Sequence, residues 1–294
     1  MDYSDKELQE LGAMMTAAEN RTGIEDFEGY SPVEMNTIIH NPFSDDCPLQ
    51  LKTLTSEIVN HSPLFQMIYY LLDTIRQEKE LKLTTKGNLP VKVTNDLYKQ
   101  NFISDYWIDF RKPKQVRQGD SEVINLAMIL LTLSNWVKKR NNKLSLTKNG
   151  EKLLDLPDKL FRQLFELFTG KFSWAYMDGY NSREAGQMGW AFSIILLSRY
   201  GEKERTHDFY AEKYFKAWPM LIDNFHDDFY RGKAETAHSC YAIRTIVRFS
   251  DFFGFTKTVQ SYKEGEDRYK IIATDLLNQV FEIRRPAFGL ATGN

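Results

Sequence analysis

The chain of 294 residues is poor in cysteine. Its two cysteines, Cys47 and Cys240, are far apart and neither belongs to a C-x-x-C pair. A disulfide framework and a zinc site built from cysteines are therefore both unsupported. We interpret the two side chains as small, partly buried groups.

Long hydrophobic runs are also missing. The longest apolar stretches, near 124–133 and 191–197, are shorter than the roughly 18 to 20 residues that span a bilayer. The first residues, MDYSDKELQELG, are acidic and polar, whereas a secretory signal has a basic start and an apolar stretch. We therefore expect a cytoplasmic protein that does not span a membrane.

Motifs for metal, nucleotide or catalytic chemistry are absent as well. None of the five histidines forms an H-E-x-x-H or a comparable ligand pair; they are His40, His61, His207, His226 and His238. The densest cluster is His226-Asp227-Asp228, with His207-Asp208 before it and His238 after it, and solvated polar side chains explain it better than a metal site. The glycine cluster GYNSREAGQMG lacks the lysine of a phosphate-binding loop. We expect no cofactor, and an enzyme is the least favoured class.

Charge is distributed unevenly although the net charge is only −2. Residues 1–78 have 4 Lys or Arg against 14 Asp or Glu, residues 79–152 have 15 against 7, and residues 153–294 have 19 of each. The middle segment is therefore strongly basic. Such a segment is typical of an anion-binding surface, although a solvated face gives the same pattern.

Helices dominate the predicted secondary structure, and strand pairs follow some of them. Ser31, Pro32 and Glu34 predict a capped helix start, and a long amphipathic helix begins near Ser62. Its apolar stripe consists of Leu64, Ile68, Leu71, Leu72 and Ile75. A strand and turn over 80–90 and a helix over about 90–100 follow. The aromatic band of Phe161, Phe165, Phe168, Phe172 and Trp174 is expected to pack in a core rather than to stack on bases.

Two further stretches repeat the order of helix, strands and helix. One has a helix over 122–136, a hairpin over 137–150 and a following helix. The other has a helix over 234–253, strands near 256–260 and 268–272, and a helix from Asp275. Thr84, Thr147 and Thr274 take equivalent places in this reading, and the second spacing is close to twice the first. Internal repetition is therefore predicted.

The fold class that follows is mainly α, with tandem winged-helix-like units, small β-hairpins and a helical connector. We assign residues 1–60 to an N-terminal helical segment, 61–169 to two winged-helix-like units, 170–233 to the connector and 234–294 to a third unit. Within the connector we expect helices over 188–198 and 209–225, the second kinked or ended at Pro219.

The hairpin of the second unit has a predicted register. Asn141-Asn142 tolerates the positive φ angles of a type I′ turn. Val137 then pairs with Leu146 and Lys139 with Leu144 on an inner face. Lys138, Arg140, Lys143 and Ser145 remain on the outer face. Because Arg140 and Lys143 are like charges directly opposite each other, a hairpin without a partner has no reason to keep them, and we expect an anionic backbone to contact them.

The pattern L-x-L-T-x-x-G in Leu144–Gly150 resembles the wing of bacterial winged-helix DNA-binding proteins. More of the chain is similar to an uncharacterised bacterial family whose members are sometimes joined to a SEC-C metal-binding motif or to a pRiA4b ORF-3-like domain. The pieces that resemble it are GYSPVEMNTIIHNPF (29–43), LKLTTKGNLPVKV (81–93), the LSLTKNG hairpin, FFGF (252–255) and ATDLL (273–277). The cysteine-rich SEC-C motif is absent here, so no metal role is implied.

Two functions fit these observations. The first is non-enzymatic binding of nucleic acid, most simply DNA, through the basic segment, with Arg111, Lys112, Lys114, Arg117, Lys138, Arg140 and Lys143 as contact residues. The apolar helix over 122–133 counts against reading of base edges by that helix. The alternative is a protein-interaction or scaffold role for the winged modules. The oligomeric state is left open.

Overall fold

The computed structural model describes residues 13–227, 232–260 and 269–287, and these residues are mainly helical, as predicted. They fall into two compact units. The middle unit consists of Thr53–Tyr176 with Arg248–Phe255, and the flanking unit of the residues before, between and after these stretches. None of the described helices is long and apolar enough to cross a membrane.

The elements follow one another in chain order. The flanking unit begins with helical residues 13–19, α1 (Pro32–His40) and β1 (Leu49–Leu51). The middle unit continues with α2 (Ser56–Val59), α3 (Pro63–Glu78), β2 (Leu81–Lys82), α4 (Val91–Gln100), α5 (Tyr106–Arg111), α6 (Glu122–Leu133), β3 (Val137–Arg140), β4 (Lys143–Leu146), α7 (Lys148–Leu154) and α8 (Pro157–Glu166), which ends in a π-helical turn (Leu167–Lys171).

The flanking unit then resumes. Its elements are α9 (Trp190–Tyr200), β5 (Arg205–Thr206), α10 (His207–Ala217), a 3-10 helix (Pro219–Asn224), α11 (Lys233–Tyr241), β6 (Thr256–Gln260), β7 (Tyr269–Ala273), α12 (Asp275–Val280) and β8 (Phe281–Ile283). Helix α11 continues as a π-helix over Ala242–Ser250 and ends with the α-helical turn Asp251–Phe253, and its residues from Arg248 onwards belong to the middle unit. Strands β1 and β8 form an antiparallel pair. Pro219 does end the preceding helix, as predicted.

Local sequence signals explain several helix starts. The Ser31 Oγ accepts from the Glu34 amide, while the Glu34 carboxylate accepts from the Ser31 amide at 2.8 Å, so the predicted capping box is present. In α3 the five stripe residues listed from the sequence are all 0% exposed. Both predictions are confirmed.

The core of the middle unit is aromatic. Phe161, Phe165, Phe168, Phe172 and Trp174 are all buried, which confirms the core interpretation of the aromatic band. The rings of Phe161, Phe165, Phe168 and Trp174 pack on those of three further phenylalanines, with ring centroids 5.2 Å apart for Phe165 and Phe253; the three are Phe249, Phe253 and Phe255. Such contacts add to the hydrophobic stabilisation from burial.

The two units have the same order of elements: a helix, a two-residue strand, two further helices and a hairpin. The middle unit has α3, β2, α4, α6 and β3–β4, with α5 as an additional short helix, and the flanking unit has α9, β5, α10, α11 and β6–β7. The sheet orders correspond too, because the short strand pairs in both with the second strand of the hairpin: β2-β4-β3 and β5-β7-β6.

The repeat therefore differs from the one predicted. Within 61–169 the strand of the first predicted unit joins the hairpin of the second in one three-stranded sheet, because Leu81 pairs with Leu144. The predicted connector includes α9, β5 and α10, which are the first elements of the second repeat. Thr84 lies in the turn after β2, whereas Thr147 and Thr274 each follow the last strand of a sheet. The three threonines therefore do not occupy equivalent positions. The predicted segment boundaries accordingly do not coincide with the two units.

Candidate nucleic-acid interface

The seven cations proposed from the sequence all lie in the middle unit and have exposed side chains. They form two groups. Lys138, Arg140 and Lys143 are on the β3–β4 hairpin. Arg111 is the last residue of α5, and Lys112, Lys114 and Arg117 follow it on the segment between α5 and α6.

The hairpin has the predicted register. Val137 pairs with Leu146, Lys139 with Leu144 and Arg140 with Lys143. The turn residues Asn141 and Asn142 have φ angles of 50° and 54°, as a type I′ turn requires. The prediction is therefore confirmed down to the residue pairs.

A third strand extends the charged face. Lys82 of β2 pairs with Lys143 of β4, which pairs with Arg140 of β3. The three residues, which we call the cation row, therefore lie side by side across the sheet on one face, since directly opposite residues project to the same side. Lys138 is two residues before Arg140 on β3 and shares this face. Lys82 was not predicted from the sequence, because the two residues of β2 are too few to show an alternation.

One group of the chain compensates part of the row. The Lys143 Nζ lies 2.5 Å from the Glu80 Oε2. The hydrogen bond from Lys143 holds the pKa of the Glu80 carboxyl below its ordinary value, and attraction by Lys143 and Lys138 contributes in the same direction. Lys143 thus has an ionic partner within the sheet. No ion pair involves Lys82 or Arg140 among the residues that the structure describes.

Two contacts fix the other end of the hairpin. Thr147 donates from its amide to the Trp136 carbonyl (2.9 Å) and from its Oγ1 to the Asn135 carbonyl (2.7 Å). The same Oγ1 caps α7 by accepting from the Gly150 amide (3.0 Å). A Cβ at Gly150 would lie 2.1 Å from the Trp136 oxygen, so only glycine fits there. The L-T-x-x-G pattern therefore has a structural explanation, because Thr147 and Gly150 close the base of the hairpin.

The turn between β2 and α4 lies beside the hairpin. The Leu83 amide donates to the Asn142 carbonyl (2.7 Å), and the Lys139 Nζ donates to the Gly87 carbonyl (3.2 Å). Lys139 is thus on the opposite face from the cation row, holding this turn in place. The turn presents Lys86, which is exposed and which the sequence analysis did not select.

The 111–117 segment is anchored on α4. Val116 is buried, its amide donates to the Asn95 Oδ1 (3.0 Å), and its carbonyl accepts from the Thr94 Oγ1. The Gln118 Oε1 next to this segment accepts from the Leu89 amide at 2.9 Å. Residues 83–89 therefore contact the hairpin at one end and the start of the 118–120 turn at the other.

Helix α6 contributes no cation to this surface. Seven of its side chains are buried, and its exposed or half-exposed positions include Glu122, Asn125 and Thr132. The seven buried apolar side chains offer no hydrogen-bonding groups to base edges. The apolar, buried character predicted for this helix is confirmed, and the absence of base reading by α6 stays a prediction.

The second sheet provides an internal comparison. There Thr206 pairs with Lys270, and Lys270 pairs with Val259. The Lys270 Nζ lies 3.8 Å from the Glu204 Oε1, which repeats the pair of Lys143 with Glu80. The positions of Lys82 and Arg140 are taken by Thr206 and Val259, so the full row of three cations is a property of the first sheet.

The histidine cluster is partly assembled. The Asp208 Oδ1 lies 2.7 Å from the His238 Nδ1 and 3.7 Å from the His207 Nε2. His226 is exposed, and Asp228 lies outside the described residues. Over 13–227, 232–260 and 269–287 no three His, Cys, Asp or Glu side chains are arranged to hold a metal ion. Both cysteines are buried.

Comparison with known proteins adds no constraint, because no family model, curated protein or solved structure matches the chain. The resemblance to winged-helix proteins and to the uncharacterised bacterial family stays a prediction. Any functional assignment therefore rests on the geometry of the described residues.

Proposed function

We propose that this chain binds nucleic acid, DNA in the first instance, through the cation row and the exposed cations around it. The observation that supports the proposal is the placement of Lys82, Lys143 and Arg140 side by side across one sheet. Like charges directly opposite each other destabilise a sheet, by a few tenths to about 1 kcal/mol per pair. A phosphate backbone would turn this repulsion into attraction.

We propose further that both units are winged-helix modules. In this interpretation β3–β4 and β6–β7 are the wings, and α6 and α11 are the helices that precede them. The order of elements and the sheet order, which are the same in both units, support the assignment. The likeness of LSLTKNG to bacterial wings agrees with it.

The expected mode of binding is contact with the backbone without reading of bases. Lysine and arginine on a wing neutralise phosphates, whereas base recognition needs hydrogen-bonding side chains in a groove. The burial of α6 removes the usual reading element. Binding should therefore depend strongly on salt and little on sequence.

The test is fluorescence anisotropy with labelled duplexes of unrelated sequence at several salt concentrations. Lys82→Thr/Arg140→Val installs the residues that the second sheet has at the matching positions. It should weaken binding to all duplexes alike and flatten the plot of log K against log salt by roughly two units, at about 0.9 units per phosphate contact. The control Lys203→Gln/Lys257→Gln removes two exposed cations of the flanking unit and should leave the slope unchanged.

A second variant tests whether removal of a negative charge from the sheet strengthens DNA binding. Glu80→Gln removes the carboxylate that pairs with Lys143. It should tighten binding, because Lys143 then becomes available to a phosphate. A wild-type protein without salt-dependent binding, or a Lys82→Thr/Arg140→Val variant that binds as well as the wild type, would refute the proposal.

The second candidate is a protein-interaction role, and one observation favours it. Val259 and Ile272 are 64% and 41% exposed. Val259 is opposite Lys270 and Ile272 is opposite Lys257, so both apolar side chains lie on the outer face of the second sheet. This face becomes the preferred candidate for a protein interface if the chain shows no salt-dependent binding of DNA through the first sheet.

A further inference from the structure

A pocket of about 320 Å³ lies in the middle unit at the base of the hairpin. Asn135 and Trp136, which lead into β3, form one wall. Gln163 and Glu166 of α8 and Lys171 of the π-helical turn form another. Its volume is at the lower end of the range found for small-molecule sites.

The hydrogen bonds of the wall determine which groups remain for a ligand. The Trp136 Nε1 donates to the Gln163 Oε1 at 2.9 Å. Because an indole N–H can only donate, this bond fixes the amide of Gln163 with its oxygen on Trp136. The Asn135 Oδ1 accepts from the Asn149 Nδ2 at 2.9 Å. The Gln163 amide thus keeps its NH₂ group for a ligand, and in the observed arrangement of the Asn135–Asn149 pair the NH₂ group of Asn135 is also the end that does not take part in the bond.

The charged side chains of the wall also favour a ligand that accepts hydrogen bonds. The Glu166 Oε1 is already engaged by the Arg162 Nε at 3.0 Å, so part of its charge is offset. Lys171 is exposed and has no ion-pair partner among the described residues. It is the last residue of a π-helical turn, an irregularity that occurs frequently at functional sites. The groups left for a ligand are therefore mainly donors.

We propose that this pocket binds a small molecule through an oxyanion, either a carboxylate or a phosphate group. Its oxygens accept from the Gln163 Nε2, the Asn135 Nδ2 and the Lys171 Nζ. Leu167 and the edge of Trp136 supply the apolar part of the wall. Hydrogen bonds from an ammonium group to an oxyanion are among the strong ones in proteins. The site is separate from the cation row and requires no nucleic acid.

Isothermal titration calorimetry on the full chain tests this proposal, with inorganic phosphate and succinate as probes. Gln163→Glu keeps an acceptor oxygen for Trp136 and nearly the same size, but replaces the NH₂ donor with a carboxylate oxygen. It should weaken binding at least about tenfold, and Lys171→Met should do the same. Lys159→Met removes an exposed lysine of α8 that does not line the pocket, and its binding should equal that of the wild type.

The two probes separate the two sources of oxyanion. Binding of phosphate alone assigns the site to phosphate compounds, and binding of succinate alone assigns it to carboxylates. The proposal is overturned if neither probe gives a titratable signal at millimolar concentration, or if both variants bind as the wild type does. Should Gln163→Glu fail to fold, as judged by circular dichroism, Lys171→Met decides the question because its side chain is on the surface.

Discussion

Arg244 in the flanking unit offers the sharpest test of how this fold is held together. Its side chain is 0% exposed. The Nε and Nη2 donate to the two carboxylate oxygens of Asp178 at 2.8 and 2.7 Å. The Nη1 donates to the carbonyls of Ser182 and Ala185 at 2.8 and 2.9 Å. One guanidinium therefore fixes the irregular segment before α9.

Arg244→Met should be strongly destabilising. The change leaves the Asp178 carboxylate, whose side chain is 6% exposed, without its cation, and deprives two carbonyls of a donor. Removal of one partner from a buried ion pair costs about 3 to 5 kcal/mol, a large share of the 5 to 15 kcal/mol that stabilises a typical domain. With an m-value of about 2 kcal/mol/M, the urea midpoint should fall by roughly 1.5 to 2.5 M.

The assay is urea unfolding followed by circular dichroism and tryptophan fluorescence. Arg162→Met breaks the exposed pair with Glu166 and serves as the control, with an expected loss of at most about 1 kcal/mol. Asp178→Leu and the double variant with Arg244→Met complete a double-mutant cycle. The double variant should lose clearly less than the sum of the single losses, because it leaves no unpaired charge. Additive losses, or an Arg244→Met variant within 1 kcal/mol of the wild type, would refute this account.

Two further predictions concern Glu28 and Gly150. Burial raises the pKa of Glu28, but the hydrogen bonds that its carboxylate accepts from Lys213, Tyr200 and Arg199 lower the pKa by more. The pKa therefore lies below its ordinary value of 4.5. The stabilisation is therefore present above about pH 4.5 and lost as the pH falls through the folded-state pKa. The difference in unfolding free energy between the wild type and Glu28→Gln, about 2 kcal/mol at pH 7, should shrink below pH 4.5; a constant difference down to pH 3 would contradict this. Gly150→Ala places a Cβ 2.1 Å from a carbonyl oxygen, and thermal unfolding should show a loss of about 2 to 4 kcal/mol in the free energy of unfolding. The control Gly119→Ala should be nearly neutral, because nothing lies within 4 Å of the added Cβ.

Features with a local cause could be predicted from the sequence. The register of the β3–β4 hairpin follows from alternation on both sides of Asn141-Asn142, and the start of α1 follows from its capping box. In both cases the residues that determine the geometry are within a few positions of each other.

Features that depend on residues far apart in the chain could not be predicted from the sequence. Strands β2 and β5 have two residues each, too few to show a period of two, so neither their partners nor the true length of the repeat is visible in the sequence. Lys82 was missed for this reason. Arg244 was missed because nothing near it in the sequence distinguishes a buried arginine from a surface one; its partners lie some 60 residues earlier.

The two sheets together show which cations need a functional explanation. The pair of Glu80 with Lys143 recurs as Glu204 with Lys270, at matching positions of a sheet with the same strand order. An ion pair that recurs in both repeats is accounted for by the architecture of the sheet itself. Lys82 and Arg140 are not, since Thr206 and Val259 replace them in a sheet of the same build. The case for an anionic partner therefore rests on these two residues, and on Lys143 only to the extent that such a partner displaces Glu80.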